Sequence, residues 1–153
     1  MHWLELKVPP LIVWLVFAAA MFGLARATPT FFLPVPGATA IALILVVAGA
    51  ALAFAGVVAF RRERTTVNPL TPNASSAVVS HGVYRFSRNP MYLGFLVALA
   101  GWAVYLSNVA SALLLPVFVA YMNQYQIKPE ERALLAKFGE QYAQYMSRVR
   151  RWI

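Results

Sequence analysis

Apolar residues in this chain come in long unbroken runs, not in the short alternating stretches of a half-buried sheet. The first run extends from Val8 to Ala25 and opens at Pro9–Pro10. Proline suits the first turn of a helix, where its missing N–H is no loss. A secretory leader is the competing reading of such a run. The weakly basic stretch before it, and the apolar residues that follow Ala18–Ala20, favour a retained helix. Residues 28–37 (TPTFFLPVPG) then predict a turn at a membrane interface, rich in proline and holding two phenylalanines.

The second run, Ala38 to Phe60, is 23 residues without a charge. At ~1.5 Å per residue it can span a ~30 Å hydrocarbon core with some tilt. Arg61-Arg62-Glu63-Arg64 stops it, and a polar loop over 61–90 follows. Two shorter runs, Met91–Leu106 and Val109–Tyr125, are joined by Ser107–Asn108 and predict a tight helical hairpin. Pro116 is a candidate kink in its second arm. From Pro129 the pattern changes. Phe138, Tyr142, Tyr145, Met146, Val149 and Trp152 recur at three- and four-residue spacing, with basic residues between them. This predicts an amphipathic helix over 129–150, at the membrane surface. The expected fold is therefore all-α: one domain over 1–153, with four spans at 8–25, 38–60, 91–106 and 109–125.

Composition agrees with lipid as the main solvent. The 153 residues are 61% hydrophobic and 12% charged, about half the charge of a typical soluble domain. The net charge of +8 would suit nucleic acid, but the basic residues flank apolar runs instead of forming a soluble basic face. With four spans, 12 of the 13 Lys and Arg residues fall on one side and only Arg26 lies opposite. That asymmetry predicts both termini in the cytoplasm, in a bacterial inner membrane. The absence of cysteine excludes disulfides, thiolate metal sites and a cysteine nucleophile. His81 has no second ligand beside it, so no metal site is expected. With no aspartate, carboxylate chemistry must come from Glu5, Glu63, Glu130, Glu131 or Glu140.

Two polar clusters border the hairpin: His81 to Gly94 before it, and Gln126 to Arg132 after it. A hairpin that goes out and returns brings them together, so Asn89 to Tyr92 should meet Gln126 to Glu131. Tyr, Arg, Asn and Glu would then converge at the membrane surface, as in a small-molecule pocket between helices. Plainer readings exist. Arg85 and Arg88 suit positive-inside anchors, Tyr84 and Tyr92 suit an interfacial belt, and acids after Pro129 suit a helix N-terminus.

Gly82-Val83-Tyr84, then Arg88-Asn89-Pro90-Met91-Tyr92-Leu93-Gly94, then Glu130-Glu131 and Phe138-Gly139 with Tyr142 and Tyr145 resemble the signature of isoprenylcysteine carboxyl methyltransferases and phospholipid N-methyltransferases. The resemblance covers about residues 66–150. Thr65-Thr66-Val67-Asn68-Pro69 is also similar to a stretch of small bacterial members. The resemblance implies S-adenosylmethionine as methyl donor, S-adenosylhomocysteine as product, and a lipid or small apolar acceptor reaching the site from the bilayer. It assigns Ser76, Ala77, Val78, Val79, Tyr84, Asn89, Pro90, Met91, Tyr92 and Glu130 to the cofactor, Arg88, Asn89 and Glu130 to catalysis, and Gln126 and Arg85 to substrate. Two positions depart from the pattern. The family histidine is Asn89, which cannot carry a proton near neutral pH, and the substrate-binding arginine is Gln126. A reductase related to the sterol reductases, using NADPH, and a non-catalytic membrane scaffold are the alternative readings.

Overall fold

The structure, a computed structural model, describes residues 5–63, 65, 66, 68 and 70–153. Arg64, and Val67 and Pro69 of the stretch similar to bacterial members, lie outside the described residues, as do the first four residues. The chain is all-helical: α1 (Pro10–Ala27), α2 (Ala38–Arg62), α3 (Pro90–Leu106), α4 (Val109–Ala112), α5 (Leu114–Met122), α6 (Lys128–Phe138) and α7 (Glu140–Arg148). Helices α1 and α2 are each long and apolar enough to cross a membrane, while α3 is apolar but only 17 residues long. At ~1.5 Å per residue α2 reaches about 38 Å and α3 about 26 Å. The outer faces of α1 and α2 expose Leu15, Val16, Leu43, Ile44 and Phe54, as expected where lipid is the neighbour.

Small residues set the closest packing, that of α2 on α3. Gly49 and Gly94 face each other so tightly that a Cβ on either would collide with the other's carbonyl oxygen. A Cβ on Gly101 would lie 2.9 Å from the Ala42 carbonyl. Between apolar helices in lipid, such close approach replaces the missing hydrophobic drive. Two indoles fasten α1 to α3: Trp14 Nε1 donates to the Phe95 carbonyl and Trp102 Nε1 to the Ala18 carbonyl, each at 3.0 Å. Val13, Met21, Leu99, Phe118 and Met122 fill the core between α1, α3 and α5.

The hairpin tip is clasped to the 28–37 turn, away from the polar clusters. Asn108 Oδ1 caps α4 by accepting from the Ser111 N–H, and its Nδ2 donates to the Thr28 carbonyl at 2.8 Å. Ser107 turns the chain with φ +48°.

Three expectations are corrected. The second arm is not one helix over 109–125. It breaks at Leu113, three residues before Pro116, whose ring and missing N–H disturb the preceding turn. Nor does a loop separate that arm from the surface helix. Residues Asn123–Ile127 form a π-helical turn that runs straight into α6. Pro129 cannot donate back to the Tyr125 carbonyl, which instead accepts the Leu6 N–H at 3.0 Å. Finally, the helix expected over 129–150 is two, α6 and α7. They meet at Gly139, whose φ +51° and ψ −125° only glycine adopts at ease. The polar loop 61–90 also carries structure, in single turns at Pro72–Ala74 and Gly82–Arg85.

Candidate functional site

The two ends of the hairpin do meet. Proline opens both helices concerned, Pro90 starting α3 and Pro129 lying in the first turn of α6. Their first turns are adjacent, so Tyr92 Oη donates to Glu130 Oε1 at 2.5 Å. Beside this contact lies a cavity of about 80 Å³ that opens to solvent. Tyr84, Asn89, Met91, Tyr92, Glu130 and Tyr142 line it, with Arg88 and Glu131 beside them.

Glu130 and Glu131 sit one residue apart in different electrostatic surroundings. Glu131 is buried and doubly compensated: Arg88 reaches its Oε1 at 2.7 Å and Arg151 its Oε2 at 2.5 Å. The hydrogen bonds it donates to Glu131 hold the Arg151 guanidinium above its usual pKa. Among the described residues, Glu130 has no cationic partner. Burial pushes its carboxyl up to about 8; the Tyr92 hydrogen bond works against that shift, and the negative Glu131 adds to it. Burial likewise raises the phenols of Tyr84 and Tyr142 well above the usual tyrosine range. The cavity thus presents aromatic faces and one carboxyl lacking a countercharge. A cationic small molecule fits that chemistry, through charge-assisted hydrogen bonds and cation–π contact.

The loop before α3 is held by the segment after α7. The Arg88 guanidinium donates to the Met146 and Val149 carbonyls at 2.9 and 2.8 Å, and its backbone N–H to the Arg150 carbonyl at 3.0 Å. Asn89 Nδ2 donates to the Arg151 carbonyl at 2.9 Å, and Trp152 Nε1 to Asn123 Oδ1 at 3.0 Å. Tyr145 Oη donates to the Tyr84 carbonyl at 2.8 Å, anchoring the turn that carries Tyr84.

Other residues singled out in the sequence are distributed as follows. Ala77, Val78 and Val79 line a smaller cavity of about 50 Å³ that shares Tyr84 and Arg88 with the main one. Ser76 is exposed, and its buried neighbour Ser75 lines both cavities instead. Pro90 is fully buried and shapes the start of α3 without lining the cavity. Arg85 is exposed, beside Gln144 and Arg148 in a separate opening. Gln126 is fully buried outside the cavity wall, its Nε2 donating to the Val8 carbonyl at 2.6 Å. Gln126 and Arg85, which the resemblance assigns to substrate, therefore both lie outside the lining of the main cavity. Gln126 is drawn to an unpaired main-chain carbonyl at the start of α1, and Arg85 to water. Sequence reading gave Arg151 and Trp152 no role at the site, placing them only in the basic, aromatic end of an amphipathic pattern.

The chain matches a family model described as phospholipid methyltransferase over residues 38–141. Protein-S-isoprenylcysteine O-methyltransferase A of Arabidopsis thaliana is 34% identical over 107 residues, covering 70% of this chain and 54% of the plant protein. Methanethiol S-methyltransferase 1 of Bradyrhizobium diazoefficiens is 40% identical over 67 residues, 44% of this chain and 22% of that one. A Haemophilus influenzae protein is 41% identical over 63 residues, 41% of this chain and its own entire length. The chain spans about half the length of the plant enzyme it matches. No solved structure matches it.

Proposed function

Because the chain belongs to the phospholipid methyltransferase family, we propose that it is a membrane-embedded methyltransferase that takes its methyl group from S-adenosylmethionine and delivers it to a lipid or small apolar acceptor. The observation that carries this reading is Glu130, a carboxyl without a cationic partner among the described residues, bound by Tyr92 inside a cavity walled by both sequence clusters. The donor carries a sulfonium and an ammonium, so it supplies the missing positive charge. When bound, it provides an electrophilic methyl group on sulfur.

The chain's own residues then have distinct tasks. Glu130 accepts a charge-assisted hydrogen bond from the donor's ammonium. Tyr84, Tyr92 and Tyr142 offer ring faces to positive charge. Arg88 is committed to Glu131 and two carbonyls, so it holds the Arg-Asn-Pro loop in position and makes no clamp on the donor. Asn89 is tied to the segment after α7. Methyl transfer needs chiefly in-line alignment, so a pocket fixed this firmly contributes through positioning. The lipid bilayer is the partner, and the acceptor reaches the cavity from its apolar side. The charge asymmetry supports four spans, with both termini and the cavity at the cytoplasmic face of a bacterial inner membrane.

Calorimetric titration of the purified, detergent-solubilised protein with S-adenosylhomocysteine tests the reading. Saturable binding is expected, weakened about 10- to 100-fold in Glu130→Ala, the cost of one hydrogen bond to a charged group. Absence of binding, or affinity unchanged in the variant, would refute it.

A further inference from the structure

Outside the donor cavity, a cleft of about 500 Å³ opens between the 78–85 stretch and α7. Its walls carry hydrogen-bond donors: Ser80 and Arg85 from the first segment, Gln141, Gln144 and Arg148 from α7. Among the described residues no carboxylate lines it. The acid at the start of α7, Glu140, accepts from Gln144 Nε2 at 3.3 Å. Arg88, Arg132 and Arg151 each hold a glutamate, whereas Arg85 and Arg148 enter no ion pair among the described residues. The cleft also sits level with the ends of the long helices. His81 Nδ1 lies 3.4 Å from Glu63 Oε1, at the end of α2, and Arg85 comes shortly before Pro90, which opens α3. Phe86, next to Arg85, leaves 78% of its surface exposed, a position that suits an aromatic ring at a membrane interface.

We propose that this cleft binds the phosphate of an anionic phospholipid between Arg85 and Arg148, and that its occupancy stiffens the donor cavity behind it. Guanidinium groups pair with phosphate through parallel N–H···O bonds. Two of them without countercharge at one cleft attract an anion, and the exposed Phe86 favours an anion carried by the bilayer over one free in solution. Tyr145 lines this cleft and not the donor cavity, while Tyr84 and Tyr142 line the donor cavity and not the cleft. The lipid is accordingly a ligand of the outer wall, distinct from the methyl acceptor. Tyr145 Oη donates to the Tyr84 carbonyl at 2.8 Å, which joins α7 to the 82–85 turn. Arg85 follows Tyr84, and Arg148 lies about one turn beyond Tyr145, so a phosphate bridging the two arginines fastens the same joint from outside. Without an anion, the like charges at that joint repel. With one, Tyr84 and Tyr142 are already held where the donor meets them, and less order remains to be lost on binding. The effect on the donor rests on the function proposed above, whereas the lipid site stands independently of it.

The test compares S-adenosylhomocysteine affinity in nanodiscs of phosphatidylcholine alone with that in nanodiscs that also contain phosphatidylglycerol. Wild type should bind about fivefold more tightly, or better, in the second. Arg148→Gln should lose that gain and match wild type in phosphatidylcholine. Arg61→Gln, which removes a charge from the end of α2 outside the cleft, should keep it. Native mass spectrometry of protein released from the mixed nanodiscs should find phosphatidylglycerol retained by wild type and lost from the Arg85→Gln, Arg148→Gln double variant. Equal affinity of wild type in the two nanodiscs, or undiminished retention by the double variant, overturns the proposal. So does a gain of the same size from inorganic phosphate in phosphatidylcholine nanodiscs, which makes the ligand a free anion. A gain lost in Arg61→Gln as fully as in Arg148→Gln overturns it too, by assigning the effect to the general charge of the membrane. If S-adenosylhomocysteine binds in neither nanodisc while phosphatidylglycerol is still held through the two arginines, the proposed donor falls and the lipid site stands.

Discussion

Glu130 and Glu131 are adjacent in sequence, and nothing in composition distinguishes them; their surroundings do. The folded protein keeps Glu130 protonated up to about pH 8, against 4.5 for an ordinary glutamate. Stability from this group is therefore fully present below pH 4.5, declines as the pH rises, and is lost above about 8. Glu130→Gln cannot ionise, so its melting temperature should gain on wild type progressively from pH 5 to 8.5. A constant difference across that range would contradict the assignment. Glu131 has the reverse role. Replacing it with alanine strands Arg88 and Arg151 without their carboxylate, a loss of ~3–5 kcal/mol for a buried pair. Thermal unfolding in detergent should show Glu131→Ala well below Glu130→Ala. Tyr84, Asn89, Met91, Tyr92 and Glu130, all named by the sequence signature, line one cavity. It singled out Glu130 of the two acids but gave no partner for Glu131, because the second arginine on Glu131 comes from residue 151, outside every motif. Gln126 failed as a cavity residue for a similar reason. Its partner, the Val8 carbonyl, is a main-chain group that no side-chain pattern reveals.

At the scale of helices, the long apolar runs gave α1, α2 and α3 to within two residues at their ends, since uninterrupted apolar sequence leaves the backbone no alternative in lipid. The breaks were less legible. Pro116 did signal a disturbance, but the helix parts at Leu113, and the π-helical turn at Asn123–Ile127 arises from contacts with residues 6 and 8. Gly139 was read as part of a family motif, whereas its positive φ marks a corner between α6 and α7. The α2–α3 seam supports a comparison among glycines. Gly94→Ala should lose folded protein, because its methyl group meets the Gly49 carbonyl and Ala53 backbone. Gly23→Ala, with nothing within 4 Å, should stabilise α1 by about 0.5–1 kcal/mol. Fluorescence-detected size-exclusion after heating would rank the two, and equal behaviour would deny that the seam is closely packed.

Across the whole molecule, the polar side and the clasped hairpin tip lie at opposite ends. Charge asymmetry read that polarity directly from the sequence, while the number of crossings depends on how α3 and the broken α4–α5 arm sit in the bilayer. A chain free of cysteine is ready for accessibility mapping. Single cysteines at Ser80 and Gln144 should react with a membrane-impermeant maleimide only from the cytoplasmic face of inverted vesicles, and one at Phe32 only in intact spheroplasts. Labelling of Phe32 and Ser80 from the same side would exclude the four-span arrangement. The bond between the Arg88 guanidinium and the Val149 carbonyl joins residues 61 positions apart, and that separation has a consequence in time. At ~5–20 residues per second, a translating ribosome makes the loop roughly 3–12 s before it makes the segment that braces it. During that interval the growing chain holds an unbraced arginine, and the 88–90 loop can take its final position only once residues 146–151 have been made.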